Sequence, residues 1–111
     1  MEKIRMTLKE LGIYPNLKGY HYLVYAINAV RMKMREFIYD TSYIEMYQRI
    51  AKTYQDTPVR VERAIRFAVE RAYAANRQKF TEFFGDIDHK PTNSEFIAVL
   101  AEYARGEYYV E

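Results

Sequence analysis

Hydrophobic residues recur at steps of three and four along most of the chain, and no segment keeps the alternation of a half-buried strand. This period is typical of amphipathic α-helices. The longest such run lies in residues 17–37, which we expect to form the central buried helix. Its apolar positions are Leu17, Tyr20, Leu23, Val24, Ile27, Val30 and Met34. The pattern therefore predicts an all-α fold.

Breaks between the apolar runs predict six helices within one domain over residues 1–111. Their expected ranges are 2–11, 17–37, 43–54, 57–76, 78–84 and 92–105. Residues with known preferences for helix ends stand at these breaks. They are Gly12 after the first helix, Asn16 before the second, Thr41 or Ser42 before the third, and Thr57 with Pro58 before the fourth. Thr92 and Glu95 have the spacing of a capping box at the start of the sixth helix.

Composition excludes several classes of protein. The 111 residues include no cysteine, so disulfides, thiol chemistry and Cys-ligated zinc are absent. No apolar run approaches the roughly 18 residues of a membrane span, and the amphipathic start is unlike a signal peptide, so we expect a cytoplasmic, nucleoid-associated protein. The two imidazoles, His21 and His89, stand on different elements without a carboxylate at metal spacing. We expect no enzyme activity, catalytic residue, metal, cofactor or small-molecule substrate.

Charge is distributed unevenly along the chain. Residues 1–48 carry a net charge of +2, while residues 49–77 hold 7 basic and 3 acidic groups, a net charge of +4. Residues 78–111 hold 3 basic and 7 acidic groups, a net charge of −4. A basic centre beside an acidic end favours one face that binds a polyanion.

The helices predicted at 43–54 and 57–76 are joined by a tight turn, which is typical of a helix-turn-helix. Ala51 supplies the small residue that a close helix crossing needs, and Gln55 stands where glycine is usual. The fourth helix has an apolar stripe comprising Val61, Ala64, Ile65, Ala68, Val69 and Ala72. We expect four residues of this stripe to be buried against Ile50 and Tyr54, namely Val61, Ile65, Ala68 and Val69.

Arginines recur at three-residue spacing on the fourth helix. Arg63 and Arg66 lie opposite the apolar stripe, whereas Arg60 lies at one edge of it and Glu62 at the other edge. In a helix-turn-helix this half of the second helix enters the major groove, where arginine donates two hydrogen bonds to guanine. Glu62 could accept a hydrogen bond from a cytosine amino group. The alternative is a solvated face whose charges pair along the helix, for example Glu62 with Arg66.

Three segments resemble the C-terminal DNA-binding domain of stage-zero sporulation protein A, a response regulator of endospore formation. They are LKGYHYL (17–23), IAKTYQDTPVRVERAIRFAVE (50–70) and KPTNSEFIAVLAE (90–102). The resemblance implies a six-helix domain that binds double-stranded DNA at a box resembling TGTCGAA. It implies base contacts from Arg60, Glu62, Arg63 and Arg66. Two differences from the family are Phe67 in place of a usual histidine, and Met1 directly before the first helix, so we expect no receiver domain.

Phosphate contacts are expected from Lys52 and from the starts of the fourth and sixth helices. The residues concerned are Lys52, Thr57, Lys90, Asn93 and Ser94. One recognition helix has a small footprint, so a weak homodimer or tandem assembly on DNA is expected. The rival hypothesis is a protein-interaction module, in which the face with Phe67 docks on a full-length regulator without binding DNA.

Overall fold

The computed structural model describes residues 1–35 and 43–108, which form six α-helices and no strand. The helices are α1 (Glu2–Glu10), α2 (Lys18–Arg35), α3 (Tyr43–Tyr54), α4 (Pro58–Ala75), α5 (Arg77–Phe84) and α6 (Asn93–Tyr108). The all-α prediction is confirmed. Most helix ends fall within one residue of the predicted ends, and α6 continues three residues further. The predicted end of α2 and the caps Thr41 and Ser42 lie outside the described residues.

The end of α1 is fixed by Gly12, as predicted. Its backbone φ is +94°, a left-handed conformation that glycine adopts without strain. The N–H of Gly12 donates to Lys9 O at 3.0 Å, and the N–H of Ile13 donates to Leu8 O at 2.8 Å. Leu8 and Ile13 are both fully buried. These contacts form a Schellman motif, which turns the chain from α1 toward α2.

The central position of α2 is confirmed, because this helix packs most extensively against α4 and α6. Five of its predicted core residues are buried: Tyr20, Leu23, Val24, Ile27 and Val30. Leu17 is only half-buried and precedes the helix, and the side chain of Met34 lies outside the described part. Aromatic rings from α5 and α6 complete the core, with Phe84 stacked on both Phe80 and Phe96 at centroid distances of 5.4 and 5.6 Å.

The crossing of α2 and α4 is unusually close at Gly19. A Cβ atom at this position would lie 2.5 Å from the carbonyl oxygen of Ala64 and 2.8 Å from the Cβ of Ala68. These distances leave no room for any side chain. The backbones of α2 and α4 are therefore in direct contact, so the central helix sets the position of α4.

No helix in the described ranges has both the length and the apolar character needed to cross a membrane.

Candidate nucleic-acid interface

A three-residue turn, Gln55 to Thr57, joins α3 to α4. Gln55 has a φ of +56° and is the one non-glycine residue with a positive φ in the described part of the chain. The N–H of Asp56 donates to Ala51 O at 2.8 Å, and Ala51 is buried, as its predicted place at the helix crossing requires. The glutamine thus takes the conformation for which glycine is usual. This arrangement is consistent with a helix-turn-helix.

The start of α4 is held by local and tertiary hydrogen bonds. The hydroxyl oxygen of Thr57 accepts from the N–H of Arg60 at 3.2 Å, and Pro58 opens the helix, so both predicted end signals are confirmed. Asp56 Oδ1 accepts from the N–H of Thr57 at 2.9 Å. The hydroxyl of Tyr22, which belongs to α2, donates to Asp56 Oδ2 at 2.6 Å. The turn is therefore attached directly to the central helix.

This contact changes the acidity of both partners. Burial, together with the hydrogen bond to the neighbouring carboxylate, raises the pKa of Tyr22 to about 12. The hydroxyl of Tyr22 and the N–H of Thr57 stabilise the carboxylate of Asp56 and hold its pKa below the usual value. Tyr22 therefore stays a neutral donor and Asp56 an ionised acceptor throughout the neutral pH range.

The inward face of α4 agrees with the predicted stripe. Val61, Ile65, Ala68, Val69 and Ala72 are buried, and Ala64 is half-buried.

Of the two α3 residues expected to cover the stripe, Ile50 is fully buried, whereas Tyr54 is 44% exposed. The ring of Tyr54 packs edge-on against Tyr22, with centroids 5.2 Å apart, because it stands at the very end of α3. Met46, one turn before Ile50, is buried in addition.

The outward face of α4 presents the predicted arginines to solvent. The side chain of Arg60 is 76% exposed, and its Nη1 lies 3.9 Å from Asp56 Oδ1. Arg66 Nη2 lies 3.4 Å from Glu62 Oε1. Arg63 is exposed and forms no hydrogen bond or ion pair with the residues that the structure describes. Arg63 is thus the arginine of this face whose donors are all available to a ligand.

Glu62 is held by α6 as well as by Arg66. The side-chain amide of Asn93 donates to Glu62 O at 3.2 Å and to Glu62 Oε2 at 3.4 Å. The same nitrogen donates to the hydroxyl of Tyr47 at 3.3 Å. Asn93 therefore connects the start of α6 to both helices of the α3–turn–α4 unit.

The two predicted phosphate-binding lysines have different surroundings. Lys52 is exposed and has no ion-pair partner within the described ranges. Lys90 Nζ donates to Glu70 Oε2, and this hydrogen bond lowers the pKa of the Glu70 carboxyl. A phosphate contact would therefore require Lys90 to leave or share this carboxylate.

The start of α6 has the predicted capping box. The N–H of Thr92 donates to Glu95 Oε1 at 2.9 Å, and the N–H of Glu95 donates to Thr92 Oγ1 at 3.2 Å. Ser94 is exposed beside this cap. The cap fixes the direction in which the first turn of α6 points.

A family model described as sporulation initiation factor Spo0A C terminal matches residues 4–104 of the 111 residues. The chain belongs to this family. The Spo0A C-terminal family is one of DNA-binding effector domains that act in the regulation of transcription during sporulation. The match runs from α1 into α6, so it includes both helices of the α3–turn–α4 unit and the capped start of α6.

Within this member of the Spo0A C-terminal family, the predicted site residues fall into groups. Arg63 and Arg66 lie on the outward side of α4 and are exposed, while Arg60 and Glu62 lie at the two edges of that side. Asn93 contacts this helix through its hydrogen bond to Glu62. Lys90, from the loop before α6, contacts α4 about two turns further along, at Glu70. Thr57 caps α4. Among the residues that the structure describes, Lys52 forms no hydrogen bond or ion pair that links it to the other site residues.

Two large hydrophobic side chains of α4 are also exposed. Phe67 is 56% exposed, and the guanidinium of Arg71 lies 5.8 Å from the centre of its ring. Val59 is 59% exposed and was not among the residues predicted to act. The signal that could have revealed Val59 is its place outside the apolar stripe, in the first turn of a helix whose outer face is mostly charged.

No group of three or more His, Asp and Glu side chains in the described part of the chain could hold a metal ion. His89 Nδ1 lies 2.9 Å from Asp88 Oδ1, and this contact raises the pKa of the His89 imidazole. Both side chains are exposed, so this is a solvated loop pair.

Proposed function

We propose that this protein binds double-stranded DNA sequence-specifically as a small transcriptional regulator and that α4 enters the major groove. The observation that carries this proposal is Arg63. It lies in the first two turns of α4, opposite the buried stripe, exposed and without an ion pair within the described residues. An arginine in this position can donate two parallel hydrogen bonds to the O6 and N7 atoms of guanine.

The other residues of the face have supporting roles. Arg60 reads a base or a phosphate beside the start of α4, where Asp56 limits the directions that its side chain takes. Glu62 and Arg66 contact neighbouring bases as a pair. Lys52 and Lys90 contact phosphates, together with Thr57 and Ser94 at the helix starts. Phosphate contacts supply most of the affinity, and base contacts supply the discrimination.

Asn93 has a different role in this proposal from a direct phosphate contact. Its amide already donates to Glu62 and to Tyr47. It therefore orients α4 relative to α6, and the backbone N–H groups at the start of α6 remain the donors for a phosphate.

The proposal is tested by titrating labelled duplexes and following fluorescence anisotropy. One duplex contains TGTCGAA and the other a scrambled sequence. We expect Arg63→Ala to lose about 1–3 kcal/mol of discrimination, about 5- to 150-fold, while weak salt-dependent binding to the scrambled duplex persists. Lys9→Ala is the charge-matched control, because Lys9 is an exposed residue of α1. The proposal would be contradicted if Arg63→Ala and Lys9→Ala lost affinity equally. It would also be contradicted if Arg63→Ala lost the same affinity for both duplexes.

A second candidate function rests on Phe67. An aromatic ring that is 56% exposed on the outward face of α4 fits a protein partner as well as a nucleic acid. In that case the face docks on a full-length regulator. The same titration separates the two functions: a wild-type protein with no preference for either duplex, and Arg63→Ala with unchanged affinity, would favour the protein partner.

A further inference from the structure

Neither core packing nor helix formation explains the valine at position 59. Its side chain is 59% exposed, and the buried stripe of α4 begins at Val61. Valine forms helices less readily than the straight-chain residues, and it gives no hydrogen bond to the free N–H groups of a first turn. The folded chain alone therefore gains little from an apolar, branched side chain at this position.

Val59 lies beside Arg63 on the outward face. At about 100° per residue, the two positions are separated by about 40° around the helix and by about 6 Å along its axis. Both lie on the side opposite the buried residues Val61, Ile65 and Ala68. A ligand surface that reaches the guanidinium of Arg63 therefore also meets the two methyl groups of Val59.

The major groove offers one apolar group for such a side chain. Guanine, cytosine and adenine present hydrogen-bond donors and acceptors at this edge, whereas thymine adds its 5-methyl group. We infer that Val59 determines a preference for thymine by packing on that methyl group. The two positions are only about 6 Å apart along α4 and base pairs are about 3.4 Å apart, so this thymine lies within about two base pairs of the guanine that Arg63 reads. The inference rests on the proposed function.

Deoxyuridine gives a direct test, because it lacks only the 5-methyl group and pairs with adenine as thymine does. The probe is a labelled duplex with the sequence that the wild-type protein selects from a random library. Each thymine of that sequence is replaced by deoxyuridine in turn. We expect one replacement to weaken wild-type binding about fourfold, equivalent to about 0.8 kcal/mol for one buried methyl group.

The variant Val59→Ala should bind the thymine and deoxyuridine duplexes equally at that position. Val59→Ile keeps a branched apolar side chain and should retain the discrimination. Met6→Ala is the matched control, since Met6 is an apolar residue of α1 that is 55% exposed, and it should retain the fourfold ratio. Because Val59 is exposed, urea denaturation should give nearly equal midpoints for all the variants.

The outcomes separate this inference from the proposed function. If selection recovers no preferred sequence, both are overturned. If a preferred sequence is recovered but no thymine in it can be distinguished from deoxyuridine, only the role of Val59 is overturned. The same holds if Val59→Ala keeps the wild-type ratio. The thymine contact of Val59 is supported if Val59→Ala binds the thymine and deoxyuridine duplexes equally, while Val59→Ile and Met6→Ala keep the fourfold ratio of affinities.

Discussion

Replacing Gly19 by alanine would add one methyl group at the crossing of α2 and α4. The new Cβ would lie 2.5 Å from the carbonyl oxygen of Ala64 and 2.8 Å from the Cβ of Ala68. The carbonyl oxygen belongs to the backbone of α4 and cannot rotate away. The two helices must therefore move apart, and the contacts of α4 with the core loosen around them.

Two opposing contributions decide the size of the effect. Alanine is a better helix former than glycine, which stabilises α2 by about 1 kcal/mol. Overpacking a core destabilises by about 1–3 kcal/mol, and a contact with backbone belongs near the upper end of that range. The net loss in unfolding free energy is about 2 kcal/mol. For a domain of this size it corresponds to a decrease in Tm of about 8 °C.

Urea and thermal denaturation, followed by far-ultraviolet circular dichroism, measure this loss. The double variant Gly19→Ala with Ala68→Gly is the informative control. It removes the side-chain contact but leaves the contact with the Ala64 carbonyl oxygen, so it should recover little of the lost stability. If Gly19→Ala were as stable as the wild type, the steric argument from the close approach of α2 to α4 would be refuted.

Three further predictions concern the phosphate contacts, the cap of α6 and the oligomeric state. Lys90→Ala should weaken binding to both duplexes more than Lys52→Ala does, because it also leaves the Glu70 carboxylate unneutralised. Adding Glu70→Gln to Lys90→Ala should remove this additional loss of affinity. For Lys52→Ala, the slope of log affinity against log salt concentration should be smaller by about one. The hydrogen bond from the Thr92 N–H lowers the pKa of Glu95. The loss of unfolding free energy in Glu95→Ala should therefore be constant above the ordinary pKa of 4.5 and become smaller as the pH falls below it. Urea denaturation at a series of pH values measures this dependence. Sedimentation should show a monomer or weak dimer without DNA, and a tight dimer at sub-micromolar concentration would contradict this expectation.

Helix ends were the most predictable part of the fold, since their signals are local. The left-handed Gly12, the cap at Thr57 and the box from Thr92 to Glu95 each depend on residues no more than a few positions apart. Burial at the ends of helices was harder to predict. Periodicity places Tyr54 on the apolar face of α3 but does not show that this last residue of the face is 44% exposed.

The outward face of α4 was predictable because a buried stripe defines its opposite side. The hydrogen bonds from α4 to α6 and to the loop before it could not be predicted, because they join residues distant in sequence: Lys90 with Glu70, and Asn93 with Glu62. Such pairs depend on how α6 crosses α4, which no local pattern encodes. The exposure of Val59 follows from the helical period, but its significance depends on the neighbouring Arg63.

The hydrogen bond between Tyr22 and Asp56 has a consequence for the thermodynamics of association. It anchors the turn before α4 to the most buried helix of the domain, so α4 has its orientation before any ligand arrives. A protein that must first populate a competent conformation loses affinity in proportion to the fraction that is competent. We expect that fraction to be close to one here, so that little backbone entropy is lost on binding. Affinity is then set by the contacting side chains themselves, and a substitution on the outward face changes the dissociation rate more than the association rate.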